Sequence, residues 1–171
     1  LLNKGSLPNK SEVSNFSEML KSQDISCDKI HKFISAFDKT AHPMSIIMSV
    51  ISAASSLYKS VDIHSEEDRW EVSSYLMALV PIVAAMSYRY LNDLPYIEAD
   101  FTLGYADNFL NMMLGESENN EIFARALDKI FTLHADHEQN ASTSTVRIVG
   151  STLANPFACI ASGVAALWGS A

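Results

Sequence analysis

Positive charge is scarce in this sequence. Only 12 of its 171 residues are lysine or arginine, against 20 aspartates and glutamates, and the formal net charge is −8. A nucleic-acid-binding surface needs a basic stripe to neutralise phosphates, and an anionic membrane surface attracts clusters of lysine and arginine. No such cluster occurs along the chain. We therefore expect neither nucleic acid nor a membrane as a partner.

Cysteine is also scarce. Cys27 and Cys159 are the only two cysteines, and they lie far apart without the spacing of a metal site. Free cysteine is most often a buried core residue in proteins of reducing compartments. The sequence therefore predicts two buried free thiols and a cytoplasmic location.

Glycine-rich and nucleophile motifs are absent. The sequence contains no Gly-x-Gly-x-x-Gly, no Walker pattern and no Gly-x-Ser-x-Gly elbow. These absences argue against a dinucleotide-binding loop, a phosphate-binding loop and a serine nucleophile of that type.

Helical periodicity dominates what is present. Hydrophobic residues make up 48% of the chain, and no segment alternates between apolar and polar positions as a strand would. The sequence predicts an all-α fold of about eight helices. Pro81 is expected to break or kink the chain between the predicted helices 65–80 and 82–90. The predicted helices cover approximately 11–21, 28–37, 44–58, 65–80, 82–90, 104–114, 121–133 and a stretch within 148–171.

Two of these segments carry no charge at all, namely 44–58 and 148–171. A membrane span needs ~20 predominantly apolar residues. The second segment is interrupted by Asn155, Pro156 and several glycines, which favours buried helices instead. The serines of both segments, and the glycines of the second, are typical of tight helix packing, within one subunit or across a subunit interface. Helices that are apolar nearly all round are expected inside a larger assembly.

Both ends of the sequence resemble points inside a longer chain. It begins at Leu1 and ends at Ala171 within an apolar run. We expect an internal piece of a longer protein.

One polar cluster, at 133–145, interrupts the apolar second half. It contains two histidines, two carboxylates, two amides and four hydroxyls. Polar groups in a buried region need partners, so the cluster marks either a capped helix junction or a site. His134 and His137 share a helical face, but a zinc-protease motif would need a histidine where Ala141 stands. We therefore expect no metal, and assign histidine as a hydrogen-bond donor to an anionic substrate.

Several segments together resemble bacterial citrate synthases. The segment 134–146 is similar to a signature of that family. The shorter segments 42–44, 84–90, 108–113, 154–160 and 167–169 are similar to other parts of it. The last of them, Leu-Trp-Gly, resembles the stretch immediately before the family's catalytic His-Gly-Gly-Ala-Asn motif. The similarity covers nearly the whole chain in a single order.

The resemblance implies a fold and an activity. Residues 1–171 would form part of the large helical domain of the citrate synthase fold, with the small domain and the C-terminal part missing. The family condenses acetyl-CoA with oxaloacetate and then hydrolyses the citryl thioester, which is the first step of the tricarboxylic acid cycle. No cofactor is implied, because acetyl-CoA is a substrate. Family members are homodimers, and some bacterial ones are hexamers.

The resemblance also assigns residues. His137 matches a histidine that contacts oxaloacetate, Asn140 and Ser142 match positions lining the same pocket, and His134 matches a supporting, more structural position. The enol-stabilising histidine is expected immediately after Ala171, so no catalytic residue lies within the chain. We therefore expect the chain alone to be inactive, since the methyl proton needs a positioned base and an enol stabiliser. Two alternatives stay open: a 2-methylcitrate synthase that uses propionyl-CoA, and a non-catalytic helical scaffold or membrane-associated protein.

Overall fold

The computed structural model describes residues 5–115, 120–136 and 138–169. Within these ranges the chain forms eight α-helices and no strand, which confirms the all-α prediction. The helices are α1 (Lys10–Lys21), α2 (Cys27–Ile34), α3 (Pro43–Ala54), α4 (Glu66–Leu91), α5 (Tyr105–Leu114), α6 (Asn120–His134), α7 (Ala141–Gly150) and α8 (Pro156–Ala166).

Helix α4 is the centre of the fold. It packs against α1, α2, α3, α5 and α8, while α6 lies on α5 and α7 lies on α8. The core draws apolar side chains from α2, α3, α4 and α8, and several of them are fully enclosed, including Ile34, Ile46, Leu79 and Val83. Cys159 is buried and Cys27 is half-buried, and both thiols are free.

Local capping fixes where several helices begin. Asn9 and Glu12 form a capping box at the start of α1, and the Ser65 side chain accepts a hydrogen bond from the Asp68 amide at the start of α4. Helices α3 and α8 each open with a proline in the first turn, where its missing N–H costs nothing.

The prediction of a helix end at Val80 is wrong. Helix α4 runs without interruption through Pro81. A proline inside a helix leaves the carbonyl four residues earlier without its usual amide donor. Here that carbonyl belongs to Met77, and it accepts a hydrogen bond from the Tyr105 hydroxyl at 2.7 Å. A side chain from α5 thus replaces the missing bond, and burial of this hydroxyl raises the Tyr105 pKa.

Replacing Tyr105 with phenylalanine is expected to lower the free energy of unfolding by about 1 kcal/mol, because the Met77 carbonyl loses its donor. Urea unfolding of the complete polypeptide measures this. In a Pro81→Ala background residue 81 regains an amide N–H for the Met77 carbonyl. The same Tyr105→Phe change should then cost markedly less, and an equal cost in both backgrounds would contradict the compensation.

The first uncharged segment is shorter as a helix than predicted, because α3 ends at Ala54. The second, 148–171, is divided between the end of α7 and α8, which has 11 residues. Among the described residues only α4 is long and apolar enough to cross a membrane, and 56% of its most apolar window is buried inside the protein. A core helix passes the same test of length and composition.

Helices α7 and α8 form an antiparallel hairpin. A β-carbon on Gly163 of α8 would lie 2.7 Å from Val146 Cγ2 and 3.9 Å from Ser142 Cβ, whereas one on Gly150 would lie 3.9 Å from Cys159 Sγ. The C-terminal half of α8 therefore lies beside the N-terminal half of α7. The chain consequently leaves α8 at the end where α7 begins.

Candidate functional site

The polar cluster of the sequence forms the junction between α6 and α7. Helix α6 ends at His134, a short turn follows, and Asn140 is the N-cap of α7. Glu138 in this turn has a positive φ of 59°, in the left-handed region that a non-glycine residue rarely adopts. His137, the residue assigned to oxaloacetate by resemblance, lies outside the described residues.

Asn140 organises the start of α7. Its side-chain oxygen accepts hydrogen bonds from the Thr143 amide at 2.9 Å and from the Ser142 hydroxyl at 2.7 Å. An asparagine cap satisfies one of the amides that a helix leaves unpaired at its N-terminus. The cap of α7 is thus the side chain of Asn140. The Ser142 proton points to Asn140, so the Ser142 oxygen is oriented as an acceptor for a further donor.

His134 is fixed within its own helix. Its Nδ1 lies 2.8 Å from the Ile130 carbonyl oxygen. Because a carbonyl only accepts, Nδ1 carries the proton in this contact. The supporting role that the resemblance implies for His134 stays a prediction.

The expectation that the polar cluster is buried is wrong for the described chain. His134, Asp136 and Asn140 are exposed, and Ser142 is half-buried. The apolar residues that surround the cluster in sequence do not cover it in space: on α6, Ile122 and Leu133 are themselves 68% and 70% exposed. The sequence pattern identified apolar neighbours, but only the packing of α6 on α5 decides which way those neighbours face.

The hairpin gathers three helix ends at this junction. Gly163 lies against Ser142, and the segment after α8 carries Trp168, whose ring stacks on His42 at 5.3 Å between centroids and 19° between planes. His42 is the N-cap of α3, and its Nδ1 accepts a hydrogen bond from the Met44 amide at 3.2 Å. The start of α7 and the start of α3 therefore both lie near the C-terminal end of α8.

The stack of His42 on Trp168 was missed by sequence reasoning. Both residues belong to segments that carried the resemblance, but nothing in their spacing indicates contact across more than a hundred positions. The role of Gly163 was anticipated only in general, as a small residue suited to close helix packing.

Metal chemistry finds no support in the described ranges. Within 5–115, 120–136 and 138–169 no group of three or more His, Cys, Asp or Glu side chains could hold an ion. The junction instead offers an asparagine amide, a serine hydroxyl and the N-terminus of α7. A helix N-terminus carries partial positive charge and favours a carboxylate or another anion.

The whole chain, residues 1–171, matches the family model described as citrate synthase, C-terminal domain. Many solved structures are similar, and two of them are citrate synthases from archaea. A citrate synthase from Pyrobaculum aerophilum is 29% identical, with a TM-score of 0.79. A citrate synthase from Thermoplasma acidophilum, in a ternary complex with carboxymethyl coenzyme A and oxaloacetate, is 24% identical, with a TM-score of 0.86. Each match covers 97% of this chain but only 43% of the solved chain.

Proposed function

Because this chain belongs to the citrate synthase family, we propose that the complete polypeptide condenses acetyl-CoA with oxaloacetate and water to give citrate and CoA. The chain supplies part of the large helical domain, and the rest of the polypeptide supplies the small domain and the C-terminal part. We place the enzyme in the cytoplasm and the reaction at the start of the tricarboxylic acid cycle, with no cofactor.

The antiparallel hairpin of α7 and α8 carries the proposal. It returns the chain from α8 to the start of α7, where Asn140 and Ser142 lie. The chain leaves α8 at the end where α7 begins, and we propose that a histidine following Ala171 lies beside these two residues. The resemblance assigns that position to the group that stabilises the enol of acetyl-CoA.

Each residue of the junction has a chemical role in this proposal. The Asn140 oxygen is already engaged by two donors, so its NH₂ group is the part that donates to a substrate carboxylate. The Ser142 oxygen accepts from the imidazole of the incoming histidine and fixes its orientation. His137 donates an N–H to oxaloacetate. The positive end of the α7 dipole favours the dianionic substrate.

The described residues do not contain the whole reaction. Removing the acetyl-CoA methyl proton requires a base, and the developing enolate requires a positioned donor. Both are proposed for the part of the polypeptide beyond Ala171. The isolated chain 1–171 is therefore expected to release no CoA above background.

The test is CoA release by the complete polypeptide from acetyl-CoA and oxaloacetate. Ser142→Ala should lower kcat by about tenfold or more, because a misoriented catalytic donor loses transition-state stabilisation, and Asn140→Ala should chiefly raise the KM for oxaloacetate. Ser151→Ala removes the hydroxyl of an exposed serine that donates to the Ile148 carbonyl at the far end of α7, and it should leave both kcat and KM unchanged. Absence of CoA release by the complete polypeptide, or turnover by residues 1–171 alone, would refute the proposal.

Propionyl-CoA distinguishes the alternative of a 2-methylcitrate synthase. We expect kcat/KM to be higher with acetyl-CoA, and a preference for propionyl-CoA would reassign the substrate. A scaffold without catalysis would release CoA from neither.

We further propose that the complete enzyme is a homodimer, alone or within a hexamer, formed through α3 and α8. Together these helices present a shallow groove lined by Met48 and by seven small side chains: Ser49, Ser52, Ala53, Ala158, Ala161, Ser162 and Ala165. Small residues allow helices to approach closely. Light scattering should report a dimer or hexamer. Ser52→Arg should shift the oligomeric equilibrium towards the monomer.

A further inference from the structure

The ring of His42 is held by two contacts. Its Nδ1 accepts a hydrogen bond from the Met44 amide at 3.2 Å, and one of its faces stacks on Trp168, with the centroids 5.3 Å apart. A ring nitrogen that accepts carries no proton, so the proton of this neutral imidazole is on Nε2. The amide fixes the rotation of the ring. The start of α3 therefore sets the plane against which the Trp168 indole lies.

Aromatic contacts lie at both ends of the pair formed by α3 and α8, and the two differ in burial. At one end, the ring of Tyr58, which follows α3, lies 5.6 Å from the ring of Phe157 in the first turn of α8. Phe157 is 1% exposed, whereas Trp168 at the other end is 44% exposed. The stabilisation from an apolar contact grows with the area removed from water. The stack of His42 on Trp168 thus contributes less to holding the two helices together than the Phe157 end does.

Trp168 carries the last side chain among the described residues. Its amide donates to the Ala165 carbonyl at 3.1 Å, which closes the final turn of α8. A β-carbon on Gly169, the next residue, would have no atom within 4 Å, and glycine has the widest choice of backbone conformations. Within the described residues, contacts therefore fix the path of the chain up to Trp168 and leave it open at Gly169.

The position of Trp168 limits where the expected enol-stabilising histidine can lie. That histidine follows Ala171, so it stands four positions after Trp168 in the sequence. Four residues of fully extended chain span at most about 14 Å. A displacement of Trp168 moves the whole region that the histidine can reach. Because misplacing a reacting group by ~1 Å can cost ~100-fold in rate, a contact that fixes Trp168 has a direct bearing on catalysis.

We propose that His42 is a positioning residue for the condensation reaction and acts through Trp168. By stacking on the indole, it places the chain that leads to the expected histidine beside Ser142. This inference rests on the proposed function, since it gives His42 a part in that reaction. Its contribution is to placement, and it is therefore expected in kcat more than in substrate affinity or in stability.

Two substitutions in the complete polypeptide separate the two contacts of His42. His42→Asn keeps an acceptor for the Met44 amide, because asparagine is among the best N-caps, but it loses the aromatic face. It should lower kcat for CoA release about tenfold, with little change in the KM for oxaloacetate or in the urea midpoint. His42→Phe keeps an aromatic face for Trp168 but loses the acceptor. It should keep kcat close to that of the unaltered enzyme and lower the urea midpoint.

A purely structural role for His42 predicts the opposite order. If only the cap of α3 mattered, activity would follow stability, so His42→Asn would turn over normally and His42→Phe would be the impaired variant. Normal kcat in His42→Asn would therefore overturn the inference. Circular dichroism checks that each variant folds. If His42→Asn does not fold, His42→Ser replaces it, because serine is another strong N-cap without a ring.

A double-mutant cycle on kcat tests whether His42 acts through Trp168. Trp168→Ala should lower kcat at least as much as His42→Asn does, and the double variant should be no slower than Trp168→Ala alone, because the stack is lost only once. Trp168→Phe keeps a ring for the stack and should restore most of kcat. Effects of the two single changes that multiply in the double variant would overturn the route through Trp168.

A second aromatic contact provides the control. The ring of Phe16 on α1 lies 5.8 Å from that of Trp70 on α4, and α1 packs on α4 and not on α7 or α8. Phe16→Ala should lower the urea midpoint and leave kcat unchanged. If the unaltered polypeptide releases no CoA, the proposed function fails and this inference fails with it. If the unaltered polypeptide is active and His42→Asn is equally active, only this inference fails.

Discussion

Replacing Gly163 with valine is expected to lower the free energy of unfolding by about 3 kcal/mol, the upper part of the usual range for overpacking a tight contact. The β-carbon alone would lie 2.7 Å from Val146 Cγ2, a distance far shorter than two carbon atoms adopt without a bond between them. Val146 has little freedom to turn away, because a β-branched side chain in a helix strongly prefers one rotamer. Helices α7 and α8 must therefore separate.

The same substitution should damage the proposed active site. The Ser142 backbone oxygen and β-carbon also lie within 4 Å of the added atom, so displacement of α7 moves the residue that orients the incoming histidine. In the complete polypeptide, we expect CoA release to fall together with the urea midpoint. A variant that unfolds at the normal midpoint and turns over normally would show that the contact is loose.

Two further variants make the argument specific. Gly150→Ala also replaces a glycine of the hairpin, but its β-carbon meets only Cys159 Sγ at an ordinary 3.9 Å. It should be neutral or slightly stabilising, since alanine is the better helix former. Combining Gly163→Ala with Val146→Ala removes the clash, so a double-mutant cycle should give a coupling energy of about 1–3 kcal/mol.

Truncating Phe157 to alanine is expected to cost about 3–5 kcal/mol, the range found for removing a buried aromatic ring. Phe157 is 1% exposed and contacts the rings of Tyr58 and Tyr75, with centroids 5.6 Å and 5.9 Å away. The truncation would remove contacts between three parts of the fold, because Tyr58 follows α3, Tyr75 lies on α4 and Phe157 lies at the start of α8. Urea unfolding of the complete polypeptide measures it.

A conservative variant controls for this prediction. Phe157→Leu keeps most of the buried volume and should cost less than about 1.5 kcal/mol. If both variants cost the same, the loss would come from the α8 start and not from the cavity left by the ring. A cost of less than 1 kcal/mol for Phe157→Ala would mean that the aromatic cluster collapses around the gap.

The helices were predictable from the sequence because their signals are local. Apolar residues recur at helical spacing in α1, α2, α5 and α6, and capping residues stand where the helices begin. The end of α4 was not predictable, since Pro81 gives the signal of a break. The donor that compensates for it, Tyr105, arrives from another helix and is invisible to any local pattern.

The sequence indicated which residues form the candidate site, but it did not indicate whether they are buried or exposed. The resemblance selected Asn140, Ser142, His134 and His137 from one dense polar segment, and the assignment of these residues stays a prediction. That segment was expected in the interior because its neighbours in sequence are apolar. It lies on the surface of the described chain, because α6 turns most of its apolar side chains outward.

The sequence by itself determined the all-α class, most helix positions and the family, since periodicity, caps and motifs are properties of short stretches of chain. Tertiary structure alone decided which ends meet. Contacts such as Gly163 with Val146, His42 with Trp168 and Tyr105 with Met77 depend on how whole helices pack. Packing couples residues that are distant in the chain, so no pattern of neighbouring residues records these contacts.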